Sequence, residues 1–199
     1  MSENYRTRNS LLMRAKNPKD EQAWEEFVRY YKAFIIMLLR QMKISQHDGE
    51  DLTQAILVKI WKKLETFDPK KAKFRTWLST LIRNTVYNHW SAQESRSRAT
   101  RKHGDFVRES PTGLPSSPEF DVIFQQEWEA YLANMAKQNI KDDFKERDMD
   151  IFEMSLRNES TADIAEKYGV NASTVTRSRN NVRDRLIQEI RHLRFELEL

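Results

Sequence analysis

Residues 161–175 read TADIAEKYGVNASTV, a pattern that predicts two short helices joined by a tight turn, the helix-turn-helix. Ala165 is small where the two helices would cross closely, and Gly169 can adopt the left-handed backbone conformation that the turn requires. The residues that can cap these helices are Ser160 or Thr161 for the first, and Asn171 or Ser173 for the second. An ordinary helical hairpin within a bundle is the alternative that the pattern leaves open.

A basic helix is predicted directly after this turn. Residues 172–194 contain six arginines against only Asp184 and Glu189. An apolar stripe at helical spacing is formed by Val175, Val182, Leu186, Ile190 and Leu193. Because this stripe would be buried, most of the arginines must point outward or flank it. That arrangement favours a nucleic-acid partner over a merely solvated basic face.

The first turns of the basic helix carry side chains that suit a DNA duplex. Short polar groups and one guanidinium are the types that read base edges in a major groove, and here they are Ser173, Thr174, Thr176, Arg177 and Asn180. Arg179, Arg183 and Arg185 are better placed to contact phosphates.

The N-terminal part contains three predicted helices and a basic loop. Apolar spacing predicts helices over 20–43 and 48–66, separated by a break at 45–49, and Thr76 is expected to cap a third helix that runs to about residue 95. The loop before the third helix reads KKAKFR at 70–75, with four positive charges in six residues.

The third helix has one polar face. It is formed by Thr80, Arg83, Asn84, Tyr87, Asn88 and Ser91, which recur at helical spacing. Together with the basic loop, this face suits a single DNA strand. Its cations can neutralise phosphates, and its amides and aromatic ring can hold bases that are no longer stacked. Trp61 and Trp77 are expected to be core residues rather than stacking platforms.

The composition excludes several classes of protein. Cysteine is absent, which excludes disulfide frameworks, thiolate zinc sites and cysteine nucleophiles. Only 4 glycines and 5 prolines occur, too few for a sandwich or barrel of many short strands. The longest apolar run covers 33–39, far short of the roughly 20 residues that span a bilayer. We therefore expect an all-α, cytoplasmic protein with no membrane partner.

Catalysis has little support in the sequence. The four histidines are scattered without a partner at metal-ligand spacing, and no phosphate-binding glycine loop occurs. The acidic run at 142–150 lacks the glycine of a calcium loop and alternates with cations. We therefore expect no catalytic residue, no metal and no cofactor.

Charge and turn residues divide the chain. Residues 1–95 carry 17 basic and 11 acidic groups, whereas residues 121–159 carry 5 and 10. Residues 96–118 hold three of the five prolines and two of the four glycines, a composition typical of flexible linkers. We predict two small helical domains, 1–95 and 119–199, joined by the linker 96–118. Helical spacing resumes at 119, and the second domain contains the helix-turn-helix.

Three motifs in the N-terminal part carry a resemblance to a known family. They are DLTQAILVKIW at 51–61, FDPKKAKFRTWL at 67–78 and IRNT at 82–85, and they resemble region 2 of the bacterial RNA polymerase sigma factors. Residues 149–193 resemble region 4 of the same family. The order of the two regions and the linker between them resemble the short extracytoplasmic-function (ECF) group, which keeps only these two domains.

The resemblance implies a promoter-specificity subunit that binds core RNA polymerase and promoter DNA and promotes strand opening. The family docks the helix matching 51–64 on a coiled coil of the polymerase β′ subunit, which implies contacts for Glu50, Asp51 and Gln54. The β subunit is a further implied contact, and an anti-sigma factor is a further candidate partner. The chemistry of transcription would belong to the polymerase.

The resemblance also implies two DNA-binding surfaces. The family uses the region matching 70–88 to melt and hold the −10 element, with a flipped base captured near Asn84. The implied −10 residues are Lys70, Lys71, Lys73, Arg83, Asn84, Tyr87 and Asn88. The helix matching 172–181 would read the −35 element as duplex, with Ser173, Thr174, Thr176, Arg177, Arg179, Asn180 and Arg183. Ala72 stands where many relatives have glycine and Asn88 where aspartate is frequent, so promoter preference stays open.

Two other hypotheses compete with this one. A stand-alone helix-turn-helix regulator would bind duplex DNA without polymerase, which explains 160–194 but gives 67–90 no purpose. A nucleic-acid-processing enzyme would need a carboxylate cluster or metal-ligand spacing, and the sequence has neither.

Overall fold

Eight α-helices make up most of the chain that the computed structural model describes, namely residues 10–101 and 117–198. In chain order they are α1 (Leu11–Ala15), α2 (Glu21–Gln41), α3 (Gln46–Leu64), α4 (Phe74–Arg101), α5 (Ser117–Ile140), α6 (Glu146–Leu156), α7 (Thr161–Tyr168) and α8 (Ala172–Leu197). Lys141–Asp143 form a short 3-10 helix between α5 and α6. No strand occurs within these ranges, and the predicted all-α class is confirmed.

Side-chain caps fix where several helices begin. The Asp20 carboxylate accepts a hydrogen bond from the Ala23 amide at 3.0 Å, and the Ser45 hydroxyl accepts one from the Asp48 amide at 3.2 Å. Such caps satisfy backbone N–H groups that have no partner inside the helix. Because Ser45 caps α3, the helix begins at Gln46, and the break predicted over 45–49 is confined to the residues before it.

The start of α4 differs from the sequence prediction. The helix begins at Phe74, and the Trp77 amide already donates to the Lys73 carbonyl at 3.1 Å. Thr76 therefore lies inside the first turn, and its predicted role as the cap was wrong. Phe74, only 1% exposed, anchors this turn in the core. The helix then continues to Arg101, into the predicted linker, whose residues 102–116 lie outside the described part.

The described residues group into two compact units. The first lies within Met1–Trp128 and Glu196–Leu199, and the second is Glu129–Phe195. Residues 117–128, the first turns of α5, thus belong to the first unit, although most of them were predicted to lie in the second domain. Within the described ranges, no helix is both long enough and apolar enough to cross a membrane.

Aromatic rings dominate the core of the first unit. From α2 come the fully buried Phe27, Tyr31 and Phe34, and the Tyr31 ring lies 5.6 Å from that of Phe74, edge to face. The apolar stripes of α3 and α4 complete this core with Leu52, Ile56, Ile60, Leu78, Ile82 and Val86. Burial of these stripes leaves the opposite faces of α3 and α4 for other contacts.

Two apolar clusters hold the second unit together. One joins α5, α6 and α8 through Ile140, Met149, Phe152 and Val182. The other joins α6, α7 and α8 through Ile151, Met154, Ile164 and Val175. Because Val175 and Val182 are both fully buried, one face of α8 is fixed against the unit and its first turns present the other face outward.

Candidate nucleic-acid interface

The turn between α7 and α8 begins at a left-handed residue. Gly169 has φ 62° and ψ 37°, and its N–H donates back to the last turn of α7. The Val170 amide then donates to the Ala165 carbonyl at 3.0 Å. Only glycine adopts this conformation without a steric cost. The two helices are therefore joined by three residues, 169–171, and Gly169 has the left-handed conformation that the sequence predicted for the turn.

Replacing Gly169 by alanine should lower the free energy of unfolding by about 1–2 kcal/mol. No atom lies within 4 Å of a Cβ built at this position, so the cost comes from the backbone conformation alone. Gly49 offers a matched control, because it also has no atom within 4 Å of a built Cβ but lies in α3. There alanine should stabilise by about 0.5–1 kcal/mol. Urea unfolding of both variants measures the pair, and equal shifts of the same sign would contradict the explanation.

Asn171 is the cap of α8. Its Oδ1 accepts from the Thr174 amide at 2.8 Å and from the Ser173 and Thr174 hydroxyls at 2.7 Å each. Of the two caps that the sequence left open, Asn171 makes these bonds, and Ser160 makes the corresponding bond to the Asp163 amide at the start of α7. The hydroxyls of Ser173 and Thr174 therefore already donate their protons to Asn171, and toward DNA they can act only as acceptors.

The predicted −35 residues are brought together on the first turns of α8. Ser173, Thr176, Arg177 and Arg183 are exposed, while Thr174, Arg179 and Asn180 are half-buried. The Thr176 hydroxyl donates to the Ala172 carbonyl at 3.0 Å, and the Arg183 guanidinium donates to the neighbouring Asp184 at 3.0 Å. Arg177 thus presents an exposed guanidinium near the start of the helix.

Arg185 is committed to the fold of the second unit. Its guanidinium donates to Asp143 at 2.9 Å and to Glu189 at 3.0 Å. Glu189 is 8% exposed and also accepts from Asn139 at 2.9 Å. Burial raises the pKa of Glu189, but the hydrogen bonds from Asn139 and Arg185 outweigh it and hold that pKa below its ordinary value. These bonds leave Arg185 less suited to the phosphate contact that the sequence suggested.

In the first unit, the basic loop is exposed and anchored at both ends. Lys70, Lys71 and Lys73 are all exposed. The Asp68 carboxylate accepts from the Lys70 amide at 2.9 Å, and the Asp68 carbonyl accepts from the Lys71 amide at 3.1 Å. Phe67 and Phe74, both buried, hold the two ends with ring centroids 5.4 Å apart. Three ammonium groups are thus displayed on a loop whose backbone is held by other residues.

The polar face of α4 continues from this loop. Thr80, Asn84 and Asn88 are exposed along it, and Arg83 and Tyr87 are half-buried. The Arg83 guanidinium lies 3.4 Å from the Asp121 carboxylate of α5. This contact was not predicted, since Asp121 lies beyond the predicted linker and in the predicted second domain.

The outer face of α3 carries the predicted polymerase residues. Glu50, Asp51 and Gln54 are exposed, and Glu50 accepts from the Gln46 amide group at 3.1 Å. Farther along the same face lie Val58 and Trp61, which are 45% and 41% exposed.

The prediction that Trp61 is a core residue was wrong. Its ring packs edge-on against Trp24 at 4.6 Å, which buries one side and leaves the other side open. Trp77 is half-buried, against Phe67 and Phe74. Positions 51, 54, 58 and 61 follow helical spacing, so this apolar extension of the polar face could have been found from the sequence.

Comparison with known proteins finds a region of the sigma factors at α2, α3 and α4. Residues 27–96, from α2 into α4, match the family model for sigma-70 region 2. The ECF RNA polymerase sigma factor RpoE of Cereibacter sphaeroides is 30% identical over 74 residues, 37% of this chain and 41% of that protein. The ECF sigma factor SigG of Mycobacterium tuberculosis is 32% identical over 117 residues, 56% of this chain and 28% of that protein.

A third relative matches a shorter stretch. The ECF sigma factor SigE of Mycolicibacterium smegmatis is 29% identical over 62 residues, 31% of this chain and 23% of that protein. The chain thus spans less than half the length of each of these relatives. Residues 27–96 carry a sigma-70 region 2, and the resemblance of this chain to the extracytoplasmic-function sigma factors is confirmed.

Proposed function

We propose that this chain is a promoter-specificity subunit that binds core RNA polymerase, recognises −35 and −10 promoter elements and promotes strand opening. The observation that carries the proposal is the match of residues 27–96 to sigma-70 region 2. The same residues include α3 and the first part of α4, on which exposed polar and basic groups form separate faces. Core polymerase and promoter DNA as partners imply a cytoplasmic location. An anti-sigma factor is a further partner that the proposal admits.

Polymerase binding is assigned to the outer face of α3. Asp51 and Gln54 are exposed beside the exposed apolar groups of Val58 and Trp61. Stable protein interfaces combine an apolar centre with a polar rim, and this face offers both on one rigid helix. The β′ subunit is the proposed partner of this face. The β subunit of the polymerase is a further proposed partner of the chain.

Binding of the −10 element is assigned to the basic loop and the polar face of α4. Lys70, Lys71 and Lys73 supply the cations that neutralise phosphates of a single strand. Amide side chains form paired hydrogen bonds with base edges, so Asn84 and Asn88 are the proposed contacts of an unstacked base. Tyr87 lies between them on the same face, where an aromatic ring can stack on a base. Arg83 completes this set.

Recognition of the −35 duplex is assigned to the first turns of α8. Arg177 is the proposed base-reading cation, with Asn180 beside it, because a guanidinium or an amide can form paired hydrogen bonds with a base edge. Ser173, Thr174 and Thr176 line the same turns. Arg179 and Arg183 are the proposed phosphate contacts. No residue of this chain is assigned a catalytic role, since strand synthesis belongs to the polymerase.

Reversing the charge at Asp51 should weaken binding to core polymerase. We expect Asp51→Arg to reduce the affinity about tenfold or more, because the new cation replaces an anionic acceptor on the polar part of the proposed face. Glu25→Arg is the matched control, since Glu25 is an exposed carboxylate on α2 of the same unit. Both variants should keep the thermal unfolding midpoint of the wild type.

The measurement is a titration of fluorescently labelled chain with core polymerase, followed by transcription from a promoter library. Equal affinity of the Asp51→Arg and Glu25→Arg variants would remove Asp51 from the interface. A chain that binds duplex DNA but neither binds core polymerase nor supports transcription would be a stand-alone regulator instead.

A further inference from the structure

Within the first unit, the Asp121 carboxylate of α5 accepts hydrogen bonds from two side chains of α4. Asp121 accepts a hydrogen bond from the Ser79 hydroxyl at 2.7 Å, and its second oxygen lies 3.4 Å from an Arg83 guanidinium nitrogen. Ser79 is 5% exposed, so its hydroxyl has little access to water. An anionic oxygen held by a guanidinium and a hydroxyl is also the arrangement in which proteins bind a phosphate.

Apolar contacts hold the same segment in place. Phe120, Phe124 and Trp128 follow each other at four-residue spacing and are at most 2% exposed. The Phe34 ring meets the rings of Phe124 at 5.2 Å and Trp128 at 4.7 Å, both edge to face. This apolar side orients the helix so that its polar side faces α4.

A second polar contact lies one turn along this side of the helix. The Gln125 side chain accepts from the Arg75 guanidinium at 3.4 Å. Residues 117–128 therefore engage two cations of α4, Arg75 and Arg83, eight positions apart. Of these two cations, Arg83 belongs to the set proposed above for the −10 strand.

We infer that residues 117–128 are an intramolecular cover of the single-strand surface, in which Asp121 takes the place of a DNA phosphate on Arg83 and Ser79. The inference rests on the proposed function of the α4 face. A DNA strand and the Asp121 carboxylate compete for one guanidinium, so the strand gains Arg83 only when the Arg83–Asp121 ion pair has opened. Lys70, Lys71, Lys73, Asn84 and Asn88 are exposed with the Asp121 contact in place, so the cover withholds Arg83 and leaves these five side chains accessible.

The competing ion pair is weak enough to be displaced. The Arg83 side chain is 19% exposed and that of Asp121 is 55% exposed, so solvent screens the attraction. A covered fraction lowers the apparent affinity of DNA by that fraction. Because the carboxylate of this pair is half-exposed, removal of its charge should raise the affinity about two- to fivefold.

The test compares Asp121→Asn with a charge-matched control in the full chain. Glu127→Gln removes the same negative charge from the same helix. The probe is a fluorescein-labelled pool of random-sequence single-stranded DNA, about the length of an open promoter region, and binding is followed by anisotropy at low salt. Asp121→Asn should bind the pool about two- to fivefold more tightly than Glu127→Gln. In an Arg83→Ala background, this difference should disappear.

Three other outcomes of this experiment would each contradict the proposal that residues 117–128 are a cover. Equal affinities for Asp121→Asn and Glu127→Gln would show that only net charge matters. A difference that persists without Arg83 would show that Asp121 does not act through that guanidinium. If no variant binds the pool, the α4 face does not bind single-stranded DNA and residues 117–128 have no such ligand to exclude.

Transcription by wild-type chain and core polymerase from a promoter library keeps the two proposals apart. Transcripts without an Asp121 effect would leave the proposed function standing and remove the cover. An Asp121 effect without transcripts would leave a covered single-strand surface on a protein that is not a promoter-specificity subunit.

Discussion

Holoenzyme in which Lys70, Lys71 and Lys73 are all replaced by glutamine should form open complexes about 100-fold more weakly than wild type at 0.1 M salt. Each phosphate contact to a single strand releases about 0.7 of a counterion, and three such contacts give this factor. The three side chains are exposed. The loop backbone is held by Asp68 and the buried Phe67 and Phe74, so the substitutions should leave the fold unchanged.

The salt dependence separates a loss of phosphate contacts from other defects. The plot of log affinity against log salt should become shallower by about 2 units in the triple variant. A control triple, Lys19→Gln, Lys32→Gln and Lys43→Gln, removes the same charge from exposed positions outside the loop. If both triples lower the slope equally, the effect belongs to the net charge of the chain and the loop is not the contact.

Apolar periodicity predicted α2, α3 and α4 well, because burial of one stripe decides both helix and core, but the short α1 was not predicted. Ile56 and Ile60 of α3, and Ile82 of α4, follow this apolar spacing and are fully buried. The boundaries were harder. Ser45 begins α3 earlier than predicted, and α4 begins at Phe74 rather than after Thr76. In both places a single side chain determines where the helix begins: the Ser45 cap for α3 and the buried Phe74 for α4. The spacing of apolar residues along a helix does not reveal such a side chain.

Burial of the tryptophans could not be predicted from residue type. Trp61 was expected in the core, yet its ring packs against Trp24 and the residue stays 41% exposed. Trp128 is fully buried, with its indole N–H donating to Glu198 at 2.6 Å. Glu198 is 70 residues away in the chain, and a contact of that range leaves no periodic pattern in the sequence.

The polar sites, too, could be predicted only as far as helical spacing determines them. The exposed positions of the α3 and α4 faces followed from helical spacing, and Asp51, Asn84 and Asn88 are exposed as expected. Which polar groups are already engaged did not follow. Arg83 is held by Asp121, and the hydroxyls of Ser173 and Thr174 are held by Asn171. Such contacts depend on side-chain geometry, so the roles of these residues at DNA stay predictions.

Arg177 and Arg185 should separate DNA recognition from stability within one helix. Arg177→Ala should cost about 1–3 kcal/mol of specific binding and relax the preference at one base pair, if the contact is to guanine. Arg185→Ala should leave that preference unchanged. It should instead lower the free energy of unfolding by about 1 kcal/mol, because Glu189 loses a charged partner but keeps its bond from Asn139.

Two measurements on each variant make the contrast decisive. Transcription from a library randomised at the −35 position reports base preference, and urea unfolding reports stability. An Arg177→Ala loss that is uniform over all sequences would make Arg177 a phosphate contact, since such contacts carry no sequence information. A changed base preference in Arg185→Ala would mean that its bonds to Asp143 and Glu189 break when DNA binds. The recognition surface of α8 would then extend at least two turns beyond Arg177.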